Sequence, residues 1–341
     1  MQLLIVIPRQ PITTGNHITA QRFAAKLPEH GWQCTIIETS VEDPREITAT
    51  LKALRPDAVL LLHAYSAGRP WLLAESSAAV PMAVLMTGTD YNHDRLIPER
   101  AKIIDQIHQQ AAAIIIQNRL VSQRLSQELV TGKQKLHVLP PGIRLGDERY
   151  PLRKNLKLHD STPLFLLPAG IRPVKGNLEL LLMCDQLLKL QPNFNLAFCG
   201  PALDEGYTRV FLASLDARPW AHYLGEIPKP AMADSMRQAD VILNNSRSEG
   251  VANALVEAVA LGRPILASDI IGNRALVQHG KNGLLYFGQE QFGKQAAQLS
   301  RDLKLRAQLS KPNPTGYSAE REGQLLATIL NQVTGRMHGH S

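Results

Sequence analysis

Two short stretches in the second half of the chain carry the residues best suited to chemistry. The first is Ser248-Glu249-Gly250-Val251-Ala252-Asn253-Ala254-Leu255-Val256-Glu257-Ala258, which sets two glutamates eight residues apart. It follows an apolar run ending near Asn245, so Glu249 is expected in a strand-to-helix loop and Glu257 about two turns into the helix. The carboxylates then lie at different depths along one edge, where one can touch a sugar and the other a ribose. The backbone N–H groups at that helix start, Ala252 to Ala254, have no partner within the helix. They form an anion site that small side chains leave open to a diphosphate. Taken alone, the stretch reads equally well as an ordinary first-turn acid followed by a solvated helix glutamate.

The second stretch is Gly170-Ile171-Arg172-Pro173-Val174-Lys175-Gly176-Asn177. It puts two cations and two glycines in a turn between an apolar run and an amphipathic segment. An arginine there can fork onto a phosphate and a lysine can supply a point charge. Departure of a nucleoside diphosphate needs that kind of charge stabilisation, and two fixed cations can provide it without a metal. A surface turn with two solvated bases is the competing reading. The two stretches together are far more specific than either, because both would converge on one diphosphate from the same sheet.

To place them there, the chain must form parallel sheets. Short β-branched or Leu-rich runs alternate with amphipathic stretches over almost the whole length, the pattern of an α/β fold with helices on both sheet faces. Strands are predicted at Leu3 to Pro8, Cys34 to Glu38, Ala58 to His63, Ala83 to Thr87, Ala113 to Gln117 and Leu136 to Leu139. They recur at Leu164 to Pro168, Asn195 to Cys199, His222 to Leu224, Val241 to Asn244, Pro264 to Ala267 and Leu284 to Phe287. Six per half predict two Rossmann-like, doubly wound domains facing a central cleft. The polar stretch Ile143 to Pro163 is the expected hinge. The expected domains are residues 1–150 and 151–318, with 319–341 a terminal helix (Ala319 to Val333) and tail; His338 and His340 in that tail read as solvent-exposed residues, not a metal site.

A length of 341 residues suits two such domains. With 44% hydrophobic and 20% charged residues, the composition excludes disordered, collagen-like and coiled-coil classes. No apolar run approaches the roughly 20 residues of a membrane span, and Met1-Gln2 leads straight into a strand, so neither span nor signal peptide is expected. Cys34, Cys184 and Cys199 are widely spaced in apolar segments; they form no disulfide framework or zinc site, and a reducing cytoplasm fits them. The formal charge of +7 favours anionic partners, whether nucleotide phosphates, an acidic acceptor or weakly an anionic membrane surface, but the basic residues are scattered and read equally well as a solvated basic surface. Without a recognition motif, nucleic acid is not expected. With no Asp-x-Asp and no ligand cluster in the sequence, no metal or other cofactor is expected.

On the Glu-x7-Glu stretch and the upstream Gly-x-Arg-x-x-Lys-Gly turn, the chain resembles glycosyltransferase family 4, of the GT-B fold, over essentially its whole length. Thr14-Gly15-Asn16-His17-Ile18-Thr19-Ala20-Gln21-Arg22, with Leu62-His63-Ala64 and Thr87-Gly88-Thr89-Asp90, is most similar to the glycosyltransferase 1 domain-containing proteins and the selenosugar synthases. The resemblance implies a retaining, metal-independent transfer from a nucleotide sugar, UDP-sugar favoured, by front-face substitution, with the acceptor left open. It implies that Arg172 and Lys175 hold the donor phosphates, Glu249 the sugar hydroxyls and Glu257 the ribose, with Gly250, Ala252, Asn253 and Ala254 at the diphosphate. Gly225 to Ile227 would receive the base, and Gly200 would begin a loop beside the donor. Gly15 and Asn16 match the glycine-rich loop after the first strand, which is not a dinucleotide fingerprint because Gly-x-Gly-x-x-Gly is absent. Val251-Ala252 stands where many members have Phe-Gly, and Thr89-Asp90 where His-Asp is usual. His63 and Asp90, at strand ends, read either as acceptor-orienting or as structural. The alternatives are a selenosugar or thiosugar synthase, a non-catalytic sugar-nucleotide-binding protein and a sugar-nucleotide epimerase. Closure of the two lobes on the donor is the expected motion. The oligomeric state is not legible.

Overall fold

A computed structural model describes residues 1–9, 15–75, 77–128 and 135–335. Thr14 and the histidines His338 and His340 lie outside the described residues. The chain divides into two compact units, Met1–Gly142 with Ser318–Ser341, and Ile143–Tyr317.

The first unit holds a six-stranded sheet in the order β2-β1-β3-β4-β5-β6. Its strands are β1 (Gln2–Pro8), β2 (Gln33–Thr39), β3 (Ala58–Leu62), β4 (Met82–Met86), β5 (Ala113–Ile116) and β6 (Leu136–Val138). Every pairing is parallel. Strands β3, β4 and β5 are unbroken apolar runs buried on both faces, as helices packed on each side of a parallel sheet demand. The helix Ala319–Val333 also belongs to this unit, where Leu326, Ala327, Ile329 and Leu330 join the core formed by Leu3, Ile5, Phe23 and Leu60. Arg22 forks onto Glu322 of that helix at 2.5 and 2.9 Å, and Trp32 Nε1 donates to Asn331 at 3.2 Å.

In the second unit the order is β12-β11-β10-β7-β8-β9. These strands are β7 (Leu164–Pro168), β8 (Asn195–Cys199), β9 (Ala221–Tyr223), β10 (Val241–Asn244), β11 (Ile265–Ser268) and β12 (Gly283–Tyr286), again all parallel. In both sheets the strand order reverses once, between β1 and β3 and between β7 and β10. Those reversals leave crevices at the carboxyl ends of the strands, the usual ligand positions of doubly wound sheets.

All twelve predicted strands are present within about a residue. Runs expected to reach His63, Thr87, Gln117, Leu139, Leu224 and Phe287 stop one residue earlier. The polar stretch after Ile143 is no free linker. Ile143, Tyr150, Leu152, Leu156 and Leu158, spaced among its charges, pack on the second unit's core, with Leu152 fully buried. Apolar anchors scattered without helical or strand periodicity are what hid this docking, and they draw the division back to Gly142 from the expected residue 150. Among the described residues no helix is long and apolar enough to cross a membrane.

Candidate active site

The Gly170–Gly176 turn leaves β7, and the Glu249 loop leaves β10, so the two lie on either side of the second unit's reversal point. Pro173–Lys175 forms a single 3₁₀ turn, closed by Gly176 at φ +63°. Only glycine adopts that conformation without strain. A Cβ at Gly176 would also stand 2.6 Å from the Asn245 carbonyl oxygen. The Arg247 N–H donates to the Val174 carbonyl at 2.9 Å, stitching the β10 loop to the turn.

This stitching brings Lys175 Nζ onto Glu249 Oε1 in a direct ion pair. Ser246 Oγ donates to the same oxygen at 2.6 Å. Burial disfavours ionisation of Glu249, but the Lys175 charge and the hydrogen bonds from Lys175, Ser246 and Asn244 outweigh it. Together they hold the carboxyl below the ordinary glutamate range. The Glu249 backbone is pressed from behind by Gly272, where a Cβ would lie 2.5 Å from its carbonyl oxygen. Asn273 Nδ2 donates to Asn244 Oδ1 at 3.0 Å and to the Ser268 carbonyl at 2.9 Å, and Ser268 Oγ donates to the Ser246 carbonyl at 2.7 Å. The loop is thus rigid on its inner side. Arg172 differs from Lys175: its side chain is exposed, and among the described residues its guanidinium makes no hydrogen bond or ion pair.

The helix after Glu249 is Asn253–Leu261, with Ala252 at its N-cap and no side chain capping it. Its first amides, next to Gly250 and Ala254, therefore keep the anion-binding character expected of them. Glu257 is half-buried in that helix, and its charge helps push the Cys199 thiol, already raised by burial, up to about 12. Cys199 is the last residue of β8. There the Gly200 N–H donates to the Gly225 carbonyl at 2.8 Å and Tyr223 donates to the Gly200 carbonyl at 2.8 Å, with Ile227 buried just beyond. Arg172 and Lys175 thus follow β7, Gly200 follows β8, Ile227 follows β9 and Glu249 follows β10 of one sheet, with Glu257 in the helix after Glu249.

The candidates of the first unit follow β1, β3 and β4 of that unit's sheet. Gly15 and Asn16 open the helix Gly15–Lys26 after β1. His63 follows β3 with φ +94°, a strained conformation for a side-chain-bearing residue. Its Nδ1 accepts from the Ser66 N–H at 3.0 Å, so the ring proton sits on Nε2, which faces Thr89 Oγ1 at 2.9 Å and Asp94 Oδ2 at 3.4 Å. Both ring nitrogens are engaged, which suits a residue that orders a loop rather than one that takes a proton. Asp90 is fully buried, and its carboxylate accepts from the N–H groups of Ala64, Thr87, Gly88 and Tyr91 at 3.0 to 3.1 Å. Of the two readings of Asp90, this geometry supports the structural one.

Sequence reasoning missed Asn244, Asn245, Ser246, Gly272 and Asn273. The first three had a signal, since three polar residues in a row close an otherwise apolar strand. Gly272 and Asn273 had none, because only the tertiary fold carries them to Glu249.

Residues 149–314 match the family described as "Glycosyl transferases group 1". A "Glycosyltransferase 1 domain-containing protein 1" of Xenopus tropicalis is 27% identical over 305 residues, covering 87% of this chain and 86% of that protein. A "D-inositol 3-phosphate glycosyltransferase" of Jonesia denitrificans is 29% identical over 252 residues, 65% of this chain and 58% of its own length. Among solved structures, sucrose-phosphate synthase from Thermosynechococcus elongatus aligns with a TM-score of 0.76 at 16% identity, covering 98% of each chain. Anabaena HepE in complex with UDP and glucose aligns at 0.74 and 17% identity, covering 96% of this chain and 99% of its own. These last two likenesses are of fold, and the fold is GT-B. Residues 149–314 are thus a glycosyl transferases group 1 domain, and the chain that carries them is a glycosyltransferase.

Proposed function

We propose that the chain transfers a sugar from a UDP-sugar to an acceptor with retention of anomeric configuration, as a family 4 enzyme and without a metal ion. The observation that carries this reading is the contact between Lys175 and Glu249 across the β7/β10 reversal, with the open guanidinium of Arg172 on the same turn. The anion and the sugar of one donor need these groups side by side. The C1–phosphate bond breaks while Arg172, Lys175 and the amides at Ala252 to Ala254 take up the charge growing on the diphosphate. The acceptor's bond to C1 forms on the same face, and its proton passes to the departing phosphate oxygen. Glu249 holds the sugar hydroxyls and Glu257 the ribose. UDP is favoured because HepE and the pneumococcal O-GlcNAc transferase GtfA, similar in fold, were solved in complex with it.

Incubation with a panel of UDP- and GDP-sugars, followed by mass spectrometry and by NMR of the product anomer, tests the reading. Turnover of a UDP-sugar with retention, undiminished by EDTA, is expected. An inverted product would overturn the retaining assignment, and activity abolished by EDTA and restored by manganese would overturn the metal-free one.

A further inference from the structure

Lys175 is the central residue of a three-residue span whose two flanking carbonyls are both held by the β10 loop. The Val174 carbonyl accepts from the Arg247 N–H, as described above. The Gly176 carbonyl accepts from Asn245 Nδ2 at 2.7 Å. Asn245 cannot turn its carboxamide over, because its Oδ1 accepts from the Tyr286 hydroxyl at 2.5 Å while a carbonyl can only accept from Nδ2. Tyr286 is 4% exposed, and burial pushes its phenol well above the ordinary range, so it remains a donor. Between Asn245 and Arg247 sits Ser246, whose hydroxyl touches Glu249. Three consecutive residues therefore hold the carbonyls of both neighbours of the lysine and the glutamate's carboxylate, the Gly176 carbonyl also accepting from the Leu180 N–H at 2.9 Å.

We infer that Asn245, oriented by Tyr286, is a positioning residue that sets the register between Lys175 and Glu249. This rests on the proposed function in assigning Lys175 to the leaving phosphate. The charge on that phosphate grows only as the bond breaks, so a displaced Lys175 costs the transition state more than the bound donor. The effect belongs in kcat. A residue that merely stabilised the fold would instead lower the amount of active protein and leave the kcat of the remainder alone.

The test is Asn245→Ala, Asn245→Asp and Tyr286→Phe, each assayed for kcat and donor KM on the UDP-sugar the native enzyme turns over. Active-enzyme concentration is set by UDP titration, and hydrogen exchange is followed over the Pro173–Leu178 turn. Asn245→Ala should lower kcat by roughly tenfold to a hundredfold, with KM within about threefold, and should speed exchange in the turn but not in β7 or β8. Asn245→Asp, nearly the same shape but facing a carbonyl with an acceptor, should do no better. Tyr286→Phe should lose less, and its loss should not add to that of Asn245→Ala, because both act through one carboxamide. Native kcat and native exchange in Asn245→Ala overturn the inference, and so does additivity in the double variant. If no nucleotide sugar is turned over by the native chain, the proposed function fails instead. The exchange arm still decides whether Asn245 holds the turn.

Discussion

At Glu249 two effects of opposite sign meet, and their order can be measured. Burial alone would raise its pKa; the Lys175 ammonium, with hydrogen bonds from Lys175, Ser246 and Asn244, reverses the shift. A carboxylate with a depressed folded pKa contributes stability that is present above the unfolded glutamate range and lost as pH falls through the folded value. Lys175→Met removes the ammonium but not the burial, so the folded pKa should move above the unfolded one. The ionised carboxylate then costs stability at neutral pH, and that cost is recovered on acidification. Urea denaturation between pH 7 and pH 5 should find the native chain level or falling as pH drops and the variant rising. Parallel curves would mean that Lys175 does not govern Glu249. A second comparison separates binding from chemistry. Arg172→Ala should lower kcat by roughly 10²- to 10³-fold with little change in melting temperature, whereas Glu257→Ala should mainly raise donor KM, because a ribose contact is equal in ground and transition states. Steady-state kinetics that showed the reverse pattern would exchange the two roles. Arg172, Lys175, Glu249 and Glu257 stand out in the sequence as candidates because charge type and spacing are local properties. The engagement of both His63 nitrogens was not, since it depends on where the Ser66 amide and the Thr89 hydroxyl fall in the fold.

Among the elements, the strands were the most legible, because a fully buried parallel strand must be an apolar run bounded by turn residues. The polar stretch after Ile143 was less so: a handful of leucines and one tyrosine are enough to dock a segment whose average composition reads as linker. The helix Ala319–Val333 had a clear apolar stripe, but its buried Glu322 is explained only by a residue some 300 positions away, Arg22. Glu322 is 1% exposed and Arg22 10%. Removing the cation strands a buried carboxylate, so Arg22→Ala should destabilise the first unit by about 3–5 kcal/mol, more than a surface pair ever costs. Arg22→Ala combined with Glu322→Leu should recover much of that. A loss under about 1 kcal/mol in denaturant unfolding would show that the carboxylate finds water or a proton instead.

For the molecule as a whole, the second unit is enclosed by the first along the chain: residues 1–142, then 143–317, then the return to the first unit. The ends of the second unit meet, since the Ile143 N–H donates to the Tyr317 carbonyl at 2.8 Å. The ends of the first also meet, because a Cβ on Gly142 would lie 2.8 Å from the Ala319 Cα. A fragment of residues 143–317 should therefore fold by itself and bind UDP, a ligand whose phosphate, ribose and base contacts are all proposed to lie within it. Circular dichroism melting and calorimetry check this, and a fragment that does not melt cooperatively would deny its independence. On the ribosome, the same enclosure makes order of synthesis differ from order of completion. The amino-terminal sheet emerges first, yet it waits for Leu326, Ile329 and Leu330 to close its core, while the enclosed unit can finish as soon as Tyr317 is clear. A nascent chain stalled shortly after that point should carry a protease-resistant second unit beside a first unit that is still cleavable.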